Sequence, residues 1–184
     1  MLAFDIETTG LDPRLHTITV AAICNKEEGI QKCYNFLMGN QDDKEEFMKQ
    51  LDDADSLCSF NGVLFDLPFI IKRFNVPPER YEPWFLKLFD YYHICKNLFN
   101  SSFSLNTLLL ANGFSPKLAS GTQAIQWAKN GQHEKLMEYC QDDANLTYDI
   151  SVAQTATLPL KNEPHVIAHK KGGSKSITYF QGDI

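Results

Sequence analysis

The first segment of the chain, LAFDIETTGLD, alternates apolar Leu2, Phe4 and Ile6 with Ala3, Asp5 and Glu7. A period of two predicts a short strand with Asp5 and Glu7 on one face, and Gly10 helps to end it. Residues 16–24 (HTITVAAIC) and 29–37 (GIQKCYNFL) are β-rich runs, and the KEEG between them signals a hairpin. The period changes over 41–53 (QDDKEEFMKQLDD), where Phe47, Met48 and Leu51 fall at helical spacing and the charges form a solvated outer face. Residues 56–60 (SLCSF) predict a buried strand closed by Asn61-Gly62. A helix follows over about 63–74, with Pro68 tolerated near its first turn.

Val76-Pro77-Pro78 stops that helix, and 84–89 (WFLKLF) reads as a strand. Helical pieces are expected over 91–99 and 104–112, then a loop and short helix over 115–130 with a basic edge at Lys117. A long helix runs from about 132 to 154, with Leu136, Cys140, Ala144, Thr147 and Ile150 along one stripe. Residues 156–184 carry a net charge of +2, against −8 for the rest, and HVIAH and KSITYF flank a Lys-Gly-Gly-Ser turn. That pattern predicts a β-hairpin extension. The order of elements predicts one α/β domain over 1–155, a mixed sheet covered by helices, followed by the extension 156–184.

Composition narrows the function. A chain of 184 residues that is 43% hydrophobic buries a sizeable core and is not disordered. No apolar run approaches the roughly 20 residues that cross a bilayer, and Met1 is not followed by a basic and then apolar leader, so no membrane contact is expected. The five cysteines (24, 33, 58, 95 and 140) are odd in number and contain no CxxC pair. Free thiols in a reducing compartment, the cytoplasm, are expected rather than a disulfide framework or a Cys-rich zinc site. The net charge of −6 argues against nucleic acid as a partner unless the acids hold metal ions, which reverse the local sign.

Three segments place acids where a sheet-centred site could gather them. Asp5 and Glu7 share a face of the first strand; Asp66 opens a helix just after the strand 56–60; Asp143 lies on the long helix, with Tyr139 one turn earlier on the same face. Carboxylates gathered in one place raise one another's pKa and stay ionised only when cations neutralise them. Their oxygens suit hard Mg²⁺ or Mn²⁺, and two such ions about 3.5–4 Å apart support phosphoryl displacement.

These residues carry a resemblance. FDIETTGLD resembles the first exonuclease motif of the DEDD superfamily, the DnaQ-like 3′–5′ exonucleases with an RNase H-like fold. SFNGVLFDLPFI resembles the second, and its Asn61-x3-Phe65-Asp66 spacing is similar to that of the family B DNA polymerase proofreading domain. YCQDDANLTYDI resembles the third, with the Tyr-x3-Asp spacing of the tyrosine subclass; the histidine subclass would need His where Glu138 stands. Three motifs in the right order, on the expected strand, turn and helix, are a specific signal.

The resemblance implies an RNase H-like mixed five-stranded sheet with helices on both faces. It implies that Asp5, Glu7, Asp66 and Asp143 hold two divalent ions, Mg²⁺ or Mn²⁺, and that Tyr139 orients a water attacking the terminal phosphodiester, releasing a nucleoside 5′-monophosphate. Thr8 and Thr9 (through backbone amides), Leu11, Asn61 and Phe65 would grip or wedge the last nucleotides, and Lys117 would track the phosphate backbone. The implied substrate is a single-stranded 3′ end, DNA favoured over RNA.

Other readings stand beside these. Asp142 competes with Asp143, Asn61-Gly62 serves equally as a turn, Phe65 as core, and Lys117 as a solvated lysine. The pair His165-x3-His169 lacks further zinc ligands, and KKGGSKS lacks the GxxxxGK of a phosphate-binding loop. The alternatives to a DNA exonuclease are an exoribonuclease, a non-catalytic nucleic-acid binding module, or a structural domain whose acids merely cluster. No polymerase or helicase fits in this length, so targeting is expected from a homo-oligomer or a partner protein through the C-terminal hairpin.

Overall fold

In a computed structural model, which describes residues 1–38, 41–117, 119–153, 155–160, 165–168 and 178–180, strand β1 (Leu2–Thr8) lies at the centre of a five-stranded sheet. Antiparallel β2 (Ile18–Asn25) and β3 (Ile30–Asn35) extend it on one side. Parallel β4 (Leu57–Ser59) and β5 (Leu88–Asp90) extend it on the other, in the order β3-β2-β1-β4-β5. The alternation in β1 sorts its side chains between two cores. Leu2, Phe4 and Ile6 bury against α1 (Gln41–Asp53), α2 (Asp66–Phe74) and α3 (Pro78–Lys87) through Phe47, Leu51, Leu67, Ile70 and Trp84. Ala3 points the other way, toward α4 (Tyr91–Phe99), α5 (Leu105–Ala111), α6 (Gly121–Lys129) and α7 (His133–Val152). The result is the expected mixed sheet with helices on both faces. Strand β2 is buried along its whole length because neighbouring strands and both helical layers cover it. Small Ala22 on β2 and small Cys140 and Ala144 on α7 share one core, where α7 packs on this strand.

Residues 84–89 are not the strand the sequence suggests. Helix α3 runs to Lys87, and the strand is only Leu88–Asp90. The two prolines that read as a stop signal also start a helix: Pro77 is the extended N-cap, and Pro78 brings a fixed φ to a position whose N–H needs no partner. Trp84 is buried and its indole N–H donates to Asp52 at 2.7 Å, whereas Leu86 is 89% exposed, so the apolar run straddles two helix faces. Helix α2 likewise begins at Asp66 rather than near 63, because residues 61–65 form a turn.

Strand β6 (Thr155–Leu158) begins a smaller antiparallel sheet with β7 (His165–Ala168) and β8 (Thr178–Phe180). Strands β7 and β8 pair as the expected hairpin, Val166 opposite Phe180 and Ala168 opposite Thr178. The Lys-Gly-Gly-Ser turn and His169 lie outside the described residues. Ala156, Leu158 and Ile167 bury in the same core as α5 and α7. Asn112, just past α5, donates to the Thr157 carbonyl at 2.9 Å and accepts from its N–H at 2.7 Å. The five cysteines are free, as expected. Among the described residues no helix is long and apolar enough to cross a membrane.

The Asn112 clamp sets a test. Asn112→Ala strands both polar groups of Thr157, and the expected loss in urea unfolding is about 1–2 kcal/mol. A loss below about 0.5 kcal/mol would show that β6 is held by burial alone.

Candidate active site

Strand β1 points Asp5 and Glu7 to the face that α7 covers, and α7 delivers Asp143. One oxygen of each of these three carboxylates lies within 4.8 Å of the others. Glu7 and Asp143 are buried and Asp5 is half-buried. Asp142, one residue round the helix, falls outside the group and is half-exposed, so helical phase separates the two candidates. Asp66 stands beside the three rather than among them. It is buried at the first position of α2, and its Oδ1 accepts the Ile6 N–H at 3.1 Å.

The turn before α2 aims Asp66. Asn61 adopts φ +70°, the left-handed region that asparagine tolerates, and a Cβ on Gly62 would collide with Ser59 Oγ. Asn61-Gly62 is therefore a required turn. Phe65 N–H donates to the Asn61 carbonyl at 2.9 Å and Leu67 N–H to that of Gly62 at 2.9 Å, which starts the helix at Asp66.

Burial and mutual repulsion shift the acids in one direction. Burial, then the charges of Asp143, Glu7 and Asp66, push Asp5 well above the usual carboxylate range. Burial and then Asp143 do the same to Glu7. Burial, then the neighbouring Asp90, raise Asp66 to about 8. Asp143 is raised by burial, with Lys117 pulling the other way.

Lys117 is the cation of this cluster. Its Nζ lies 2.5 Å from Asp143 Oδ2 and 4.9 Å from the centre of the Tyr139 ring, with 17% of the side chain exposed. It is not the solvated lysine that its loop position alone suggests. Burial lowers its pKa, but Asp143, Asp5 and Glu7 outweigh that and raise it. Tyr139 is buried, edge-to-face with Trp127 at 5.9 Å between ring centroids, and its hydroxyl is within hydrogen-bonding range of Asp143. Burial and then the nearby carboxylates raise its pKa, so the phenol stays protonated. Cys140 adds a weak thiol contact, 3.5 Å from Asp5 Oδ2.

The remaining candidates line the site unequally. Thr8 is buried and its hydroxyl donates to the Gly10 carbonyl at 2.6 Å. The Thr9 N–H donates to the Thr17 carbonyl at 3.0 Å, so this amide is occupied within the protein and is not the free nucleotide donor expected. Leu11 is 76% exposed. Phe65 is half-buried, packs on Phe69 with centroids 4.9 Å apart, and joins the core on the α2 side of the sheet. Asn61 Oδ1 is buried without a partner.

The donors fit hard divalent cations. All are carboxylate oxygens, Asp143 Oδ1 is buried without a partner, and Lys117 supplies one positive charge against four acids. One residue of the site went unread in the sequence: Asp90, at the end of β5, whose carboxylate accepts the N–H groups of Asn61 and Val63 at 2.9 Å each. The signal available for it was an Asp between an apolar run and a helix, an N-cap pattern.

The family model of the RNase H superfamily matches residues 2–153. The chain belongs to the RNase H superfamily. No curated protein matches its sequence significantly. Among solved structures, the family B DNA polymerase of the hyperthermophilic archaeon Pyrobaculum calidifontis is similar at a TM-score of 0.66 and 18% identity. That match covers 82% of this chain and 24% of the polymerase, so this chain spans about a quarter of that enzyme. A structure described as the apo form of a nuclease is similar at a TM-score of 0.55 and 18% identity, over 80% of this chain and 68% of the other. These two likenesses show a fold that this superfamily member shares with proteins of different length. A looser likeness, TM-score 0.44 at 16% identity, joins 91% of this chain to 53% of Escherichia coli exonuclease I.

The raised acids give stability a pH dependence. Asp66 titrates near 8 in the folded protein against about 4 in an unfolded chain. The stabilisation from its protonation is complete below about pH 4 and is lost as pH rises through about 8. In EDTA the melting temperature should therefore fall between about pH 5 and 8.5, and fall less in Asp66→Asn, which cannot ionise. Added Mn²⁺ should raise it more at about pH 8 than at about pH 6, since protons and cations compete for the same oxygens. A metal-free melting temperature that rises over this window, or an unchanged slope in Asp66→Asn, would contradict the geometry.

Proposed function

We propose that this chain is a divalent-cation-dependent 3′–5′ exonuclease of the tyrosine DEDD type. It removes nucleoside 5′-monophosphates from single-stranded 3′ ends, with DNA as the favoured strand. The observation that carries this reading is the convergence of Asp5, Glu7 and Asp143, with oxygens within 4.8 Å and Asp66 alongside, under a protonated Tyr139. The preference for DNA draws support from the Asn61-x3-Phe65-Asp66 spacing and from the fold shared with a family B DNA polymerase.

Asp5, Glu7, Asp66 and Asp143 would hold two ions, Mg²⁺ or Mn²⁺. When bound, these supply charge neutralisation for the acids and the scissile phosphate and a lowered pKa for an attacking water. The residues of the chain do the rest. Tyr139 keeps its proton, so its hydroxyl orients the water by hydrogen bonding and does not act as the base. Lys117 Nζ, on a flexible stem beside Asp143, pairs with a phosphate oxygen once the carboxylates are neutralised otherwise. Half-buried Asn61 grips the terminal nucleotide, and exposed Leu11 wedges between the last bases. Residues 156–184, with their net +2, form an extension to the exonuclease domain that contacts the strand, a partner protein or a second copy. Free thiols suit a reducing compartment such as the cytoplasm.

The test uses matched single-stranded DNA and RNA, each labelled at the 5′ end, with Mg²⁺, Mn²⁺ or EDTA. The expected result is a cation-dependent ladder shrinking from the 3′ end, faster on DNA, and slowed at least about 100-fold in Asp143→Asn. Cleavage of RNA alone would replace the substrate. Metal binding without cleavage of either strand would make the chain a binding module.

A further inference from the structure

We propose that Asp90 is a positioning residue for the acid site: its carboxylate fixes the turn that aims Asp66 and Asn61. This rests on the reading of the four acids as a cation site.

Asp90 is 2% exposed and lies at the end of β5, in register with Ser59 of β4. Its Oδ1 accepts the N–H of Asn61 at 2.9 Å and its Oδ2 that of Val63 at 2.9 Å. Oδ1 also accepts the N–H of His93 at 3.1 Å, capping α4. The carboxylate therefore ties the turn after β4 to a helix and strand that are themselves packed in the core. From that tie the path to the acids is short. Asn61 and Gly62, flanked by the held N–H groups of Asn61 and Val63, present their carbonyls to Phe65 and Leu67, and Asp66 stands between those two. Asp66 in turn meets the Ile6 N–H on β1, between Asp5 and Glu7. Slack at Asn61 or Val63 would appear at Asp66.

The residue type supports the assignment. Three N–H groups from two segments need two acceptor oxygens, which a carboxylate has and an asparagine lacks. The amide introduced by Asp90→Asn would set its NH₂ against one of the donors. A buried acid so near Asp66 also adds like charge to a site already crowded with it. A neutral residue would be electrostatically easier, so the hydrogen-bonding geometry is what favours an acid here.

The test is Mn²⁺ affinity, measured by calorimetry and by the electron paramagnetic resonance signal of free Mn²⁺, at a temperature where every variant is folded. Asp90→Asn should bind Mn²⁺ about 10–100-fold more weakly, the range found for residues that orient metal ligands. Asp90→Ser, whose hydroxyl still caps α4 but cannot hold the turn, serves as the second variant and should weaken binding similarly. Trp84→Phe, which loses its bond to Asp52 and leaves the hydrogen bonds of Asp90 in place, controls for lowered stability and should keep wild-type affinity. Wild-type affinity in both Asp90 variants, or an equal loss in Trp84→Phe, would overturn the proposal. A wild-type protein that binds no Mn²⁺ would instead overturn the cation-site reading, and this proposal with it.

Discussion

The repulsion among buried carboxylates is the constraint around which the rest of this molecule is arranged. At the separations found here, two full charges repel by about 3–4 kcal/mol at an effective dielectric of about 20. Three such pairs among Asp5, Glu7 and Asp143 amount to about 10 kcal/mol, as much as the whole stability of an ordinary domain. The acids therefore cannot all be ionised in the folded chain without positive charge beside them. Protons, one lysine or divalent cations are the available remedies, and the raised pKa values express the first.

Lys117 meets part of this demand and is suited to meet only part. It pairs with Asp143 and leaves Asp143 Oδ1 unpartnered, so the charge it brings does not saturate the site. It comes from the segment between α5 and α6, and an ammonium on a four-carbon stem can leave a carboxylate without disturbing helix or sheet. Under the proposed function, a chain with a net charge of −6 would approach a polyanion because its decisive acids point inward, where bound cations would reverse their sign.

What the sequence revealed and what it concealed follow from the range of the interactions. Asp5 and Glu7 were legible because period-two alternation in β1 puts them opposite Leu2, Phe4 and Ile6. Asp143 was legible from helical phase relative to Tyr139. Helix α3 was not, because two prolines mark the end of one helix and the start of another with the same residues, and WFLKLF has no clear period. Asp90 and the depth of Lys117 were hidden for a different reason. Asp90 acts on residues 29 and 27 positions away, and Lys117 on one 26 positions further along, across strands and helices whose packing local patterns do not fix. Strand β6 was missed because TATL follows the long helix directly, without a turn signal of its own.

The same distinction separates the parts of the site by rigidity. Asp5 and Glu7 lie on a strand bonded to β2 along its length and to β4 at its start, between two helical layers, and Asp143 lies in the middle of a 20-residue helix packed on that sheet. Neither can shift without disturbing a core. Asp66 is one step less secure, since the start of α2 depends on a turn, and that turn is where a buried carboxylate has been added to hold it. Leu11, Asn61 and Lys117, the candidates for touching a strand, stand on connecting segments. Acids that must share cations within a few tenths of an ångström belong on rigid elements. Under the proposed function, side chains that follow a polymer of changing sequence belong on loops, and Leu11, Asn61 and Lys117 stand on such segments.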